Sequence, residues 1–75
     1  MKKHIRDSIM KSLRDIREAN TADQLMFRHG NLCGFLGGLF CMSGMSFRHH
    51  SRLHEINRRV YRLRSDELFH ARRAA

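Results

Sequence analysis

Apolar residues recur at Ile5, Ile9, Leu13 and Ile16, at intervals of four, four and three. That spacing puts them on one face of a helix over residues 2–19. Lys3/Asp7, Asp7/Lys11, Lys11/Asp15 and Arg14/Glu18 stand four residues apart. Such pairs support the exposed side of a helix by about 0.2–0.5 kcal/mol each. The "NTADQ" that follows interrupts the pattern. Thr21 with Gln24 has capping-box spacing and predicts a second helix from about Ala22, ending at a turn near Ser43 and Gly44. Helical rhythm resumes at Phe47 with Ser46 as its cap. Leu53, Ile56, Val60 and Leu63 form a heptad-like seam. The helix continues through "RSDELFHARRAA" or restarts at Ser65, where Asp66 and Glu67 suit a helix N-terminus. No run alternates with period two, so the expected fold class is all-α, a small helical hairpin or three-helix unit forming one domain over residues 1–75.

The second helix carries the unusual pattern. "HGNLCGFLGGLFCMSG", residues 29–44, holds all five glycines of the chain, and Gly30, Gly34 and Gly38 lie four apart. Each glycine in a helix interior costs about 1 kcal/mol relative to alanine, so close contact with another helix is needed in return. Leu32, Phe35, Leu36, Leu39, Phe40, Met42 and Met45 make the segment apolar almost all round. A helix of that kind must be enclosed. Two enclosures are open. Lipid fits poorly: the charge-free run from Asn31 to Phe47 is seventeen residues, at the short limit for a span, and both flanks are basic. Protein fits better: the first helix and the seam of the third would pack on the glycine helix, and a homodimer would bring two glycine faces together. A break at Gly37–Gly38 is the alternative that would undo this zipper.

Length sharpens the case for a partner. Seventy-five residues bury only about 60–65% of the surface of the unfolded chain, so the core is marginal. Cys33 and Cys41 are too few for a disulfide framework, and on one helix they stand about 12 Å apart along the axis. The charged N-terminal stretch lacks the apolar region of a secretory signal. Both features lead to an expectation of free thiols in a reducing cytoplasm.

Fifteen Lys and Arg against seven Asp and Glu give a net charge of +8, which points to a polyanionic partner. All eight basic residues from Arg48 onward are arginine, whose planar fork grips phosphate or carboxylate with two parallel hydrogen bonds. Arg48, Arg52, Arg59 and Arg62 fall on a face apart from the seam, flanked by Arg58 and Arg64. They are the candidate polyanion contacts, with His49 and His50 nearby. Asn57 is the sole amide on this helix that could interleave for base reading. Phosphate-directed nucleic-acid binding is therefore expected over base readout. The rival partner is an acidic protein surface, gripped by the same arginines around a Phe69, Tyr61 or Met anchor.

Other chemistry is weaker. His29/Cys33 and His50/His54 stand at i,i+4, and a fold-back near Gly44 would bring Cys41 toward His50 and His54. No compact CxxC accompanies them and the surroundings are basic, so no metal and no cofactor is expected, and the cysteines read as small core residues. A Cys–His pair lacks an orienting third group and an oxyanion site, so no enzymatic activity is expected. The sequence thus describes a small cytoplasmic binding protein. Its expected form is a homodimer assembled on Gly30, Gly34 and Gly38.

Overall fold

A computed structural model describes residues 1–74 and contains three helices: α1 (Lys3–Arg17), α2 (Ala22–Ser43) and α3 (Phe47–Ala74). No strand occurs among the described residues. The helices form an elongated unit of 46 × 20 × 16 Å. Its long dimension is set by α3, whose 28 residues span about 42 Å. The side chains of Arg72 and Arg73 lie outside those described.

The boundaries follow local chemistry. Thr21 is extended and its hydroxyl accepts the Gln24 amide at 3.1 Å, while the Gln24 side chain accepts the Asn20 amide at 3.0 Å. The reciprocal bond thus lands one residue ahead of the cap. The helix ends at Gly44, whose φ of 70° is left-handed, a conformation that glycine adopts without a Cβ penalty. Two residues on, the Ser46 hydroxyl accepts the His49 amide at 3.1 Å and caps α3. Gly37–Gly38 does not break α2, and Ser65 does not restart α3; both helices are continuous.

Ile9, Ile16, Ala19, Leu25, Leu32 and Leu36 form the buried core, with Ile5, Leu13, Leu39, Leu53, Val60, Tyr61 and Leu68 packed around it. The α1 stripe is therefore the one its periodicity predicts. The α3 seam is not. Ile56 is 37% and Leu63 59% exposed, whereas Asn57 is fully buried. The inward stripe of α3 runs through His50, Leu53, His54, Asn57, Val60, Tyr61 and Arg64, all buried or half-buried. It is rotated because α2 presents His29 and Cys33, which bond Asn57. The predicted ion pairs along α1 are not formed; among the described residues the ion pairs are Arg59–Glu55 and Arg64–Glu67.

The carboxyl end of α1 is held by one arginine from each of the other helices. Arg28 of α2 donates to the Asp15 carbonyl at 2.6 Å, and Arg64 Nε of α3 donates to the Ala19 carbonyl at 2.8 Å. Both place a guanidinium where unpaired carbonyls and the helix dipole concentrate negative charge. Arg64→Met keeps most of the stem and removes this bond, so it should lower stability by about 1.5–3 kcal/mol, read as a drop in denaturant midpoint. An unchanged midpoint would show that apolar packing alone holds α1.

Candidate polyanion-binding face

Turning about 100° per residue, α3 places Arg48, Arg52, Arg59 and Arg62 within about 80° of one another, opposite the buried Asn57. All four are exposed. From Arg48 to Arg62 the row extends about 21 Å. Arg58 is exposed at its flank, but Arg64 points to the other side, half-buried and engaged with Ala19 and Glu67. The structure therefore brings together four of the six candidate arginines, leaves Arg58 beside them, and commits Arg64 to the fold.

Glu55 and Asp66 are the acidic residues of this face. Arg59 Nη2 lies 3.2 Å from Glu55 Oε1, with both side chains mostly exposed. Such a surface pair contributes at most about 1 kcal/mol, so it holds Arg59 weakly against a competing polyanion. Arg48, Arg52, Arg58 and Arg62 have no ion pair among the described residues. Exposed Ile56 and Leu63 border the row.

Asn57 does not read bases. Its side chain closes a ring of hydrogen bonds between α2 and α3. Asn57 Nδ2 donates to Cys33 Sγ at 3.3 Å and lies 3.4 Å from the His29 carbonyl. Cys33 Sγ lies 3.8 Å from His29 Nε2, and His29 Nδ1 lies 3.0 Å from Asn57 Oδ1. Donors and acceptors balance when His29 is neutral with its proton on Nδ1, donating to Asn57, and the thiol donates to Nε2; this tautomer is assigned from the network. Tyr61 stacks on His29 with ring centroids 4.4 Å apart. The sign in the sequence was a lone amide inside an apolar stripe, the device by which polar residues specify helix register. Further along, Phe40 stacks on His50, which meets His54 edge-on, both at 4.5 Å. No group of three His, Cys, Asp or Glu side chains suited to a metal occurs among the described residues. Cys41 is exposed, not a core residue.

Gly30, Gly34 and Gly38 are exposed on the outer face of α2, and a Cβ at any of them would meet nothing within 4 Å. Neither α1 nor α3 packs on the glycine stripe, contrary to the sequence expectation. They pack on the opposite face, through Leu25, Leu32 and Leu36. No helix among the described residues is long and apolar enough to cross a membrane. Comparison with family models, curated proteins and solved structures gave no match.

Two outcomes follow. Asn57→Ala leaves His29 and Cys33 without their shared partner and opens a void, at a cost of about 2–3 kcal/mol in unfolding free energy. Burial, then the nearby His50, Arg58 and His29, hold the His54 pKa below its ordinary 6.5. The folded state thus favours neutral His54, and its contribution is full above pH 6.5 and lost as pH falls through the lower folded value. A melting-temperature series downward from neutral pH should fall more steeply for the native chain than for His54→Gln.

Proposed function

We propose that this chain is a small, non-enzymatic, nucleic-acid-binding protein of the cytoplasm, acting as a homodimer through the glycine face of α2. The observation that supports it is the row Arg48, Arg52, Arg59 and Arg62. Four guanidinium groups stand on the exposed side of one rigid helix, where backbone phosphates can be met by bidentate hydrogen bonds. Arg58 assists from the flank. With Asn57 buried, contact is to phosphate and groove shape, and sequence preference is weak. The thiol of Cys33 in its hydrogen-bond ring suits a reducing compartment. Gly30, Gly34 and Gly38 admit close backbone approach by a second copy.

A second reading draws support from Ile56 and Leu63, exposed beside the arginines. They would anchor an acidic protein surface, with the arginines as its polar rim. The chain would then be an adaptor or inhibitor on a larger enzyme.

Four phosphate contacts on duplex DNA give a slope of log K against log salt of about −3.5. Arg59→Glu with Arg62→Glu should abolish binding with helicity unchanged by circular dichroism, and each arginine neutralised singly should reduce the slope by about 1. The tagged protein pulled from lysate in nuclease-treated and untreated halves separates the two readings. Nucleic acid that co-purifies, with proteins lost on nuclease treatment, supports the first; one protein retained after nuclease supports the second. For the dimer, Gly34→Leu should halve the sedimenting mass and leave the fold of the single chain intact, because the added side chain meets nothing within that chain.

A further inference from the structure

We infer that the outer face of α2 seats the same face of a second copy in antiparallel orientation, with Gly34 at the two-fold axis. This rests on the homodimer proposed above and adds its surface and direction.

The first argument is area. The chain exposes 5851 Å², whereas a folded monomer of its 8.9 kDa is expected to expose about 4,800 Å². The excess of about 1,000 Å² compares with the roughly 800 Å² that each partner contributes to a standard interface. Part of that surface is large and apolar on α2: Met26 is 62%, Phe27 69% and Met42 89% exposed.

The second argument is charge. Between Phe27 and Met42 the outer face of α2 consists of Phe27, Gly30, Asn31, Gly34, Gly38 and Cys41, without a charged side chain. On a chain of net charge +8 this is the surface that a like-charged copy can approach. The arginine row of α3 points away from α2, so pairing through α2 does not set one row against the other.

The third argument gives the direction. The outer face is symmetric about Gly34. In an antiparallel pair with that centre, Gly30 meets Gly38 of the second copy and Phe27 meets Cys41. A large ring then lies over a small thiol at each end of a glycine centre, and the helices approach evenly. A parallel pair would set Phe27 against Phe27 and hold one end apart while the glycines draw the middle together. Antiparallel packing also opposes the two helix dipoles.

The test is directed cross-linking of the full chain. Phe27 is exposed, so Phe27→Cys leaves the core untouched. Within one chain, positions 27 and 41 stand about 21 Å apart along the helix and cannot bridge. Oxidation of Phe27→Cys should give a species of twice 8.9 kDa, with peptide mapping linking position 27 to Cys41 of the other copy. The wild-type chain should give little Cys41–Cys41 linkage, because those thiols lie about 21 Å apart in the antiparallel pair. Phe27→Cys in a Cys41→Ser background is the second variant and should give little linkage, because the two copies of position 27 lie about 21 Å apart in the antiparallel pair. Linkage of 41 to 41 or of 27 to 27 in a chain that sediments as a dimer would overturn the orientation and leave the dimer standing. A dimer in which position 27 of Phe27→Cys links to no cysteine of the other copy would overturn the α2 face. A wild-type chain that sediments at 8.9 kDa at every concentration would overturn both this inference and the homodimer.

Discussion

The hydrogen-bond ring of Asn57, His29 and Cys33 decides what the rest of the surface presents. A buried amide must find partners, and a half-satisfied one costs more than an apolar replacement. On α3, turning Asn57 inward sends Arg48, Arg52, Arg59 and Arg62 outward. On α2, turning His29 and Cys33 inward sends Gly30, Gly34 and Gly38 outward. One polar contact between two helices thus selects the arginine row and the glycine stripe together. It does so at the expense of burying Ile56 and Leu63, which a purely apolar seam would have taken in.

A second constraint is the scarcity of core. Among the described residues six side chains make up the buried cluster, and α1, the shortest helix, covers the groove between the other two. Its carboxyl end relies on Arg28 and Arg64 reaching across to backbone carbonyls. Two arginines of this basic chain therefore serve as structural clamps. Positive charge is thus divided between holding the fold and facing solvent.

Much of the architecture was legible residue by residue. The Thr21 and Ser46 caps, the Gly44 stop and the Ile9–Ile16 stripe each depend on neighbours within a turn or two, and the structure places them as their spacing implies. The α3 seam was legible only at Leu53 and Val60. The rotation that leaves Ile56 and Leu63 exposed follows from a polar match with α2 across 24–28 residues of sequence. The same long-range match took Asn57 from the candidate contact face, whereas Arg64 stands well over 100° from the row by helical turn alone. Arg48, Arg52, Arg59 and Arg62 stayed together because their relative spacing on one helix is independent of which way that helix turns.

The sequence by itself determined three helices, the caps of α2 and α3 and a concentration of arginine on the last helix, because these are set by local backbone chemistry and helical periodicity. Tertiary structure alone decided which sides of α2 and α3 meet the rest. The orientation of α2 and α3 depends on satisfying three polar side chains at once, and that condition exists only when the helices are in contact. The glycine face therefore lies open to solvent and not under α1 or α3.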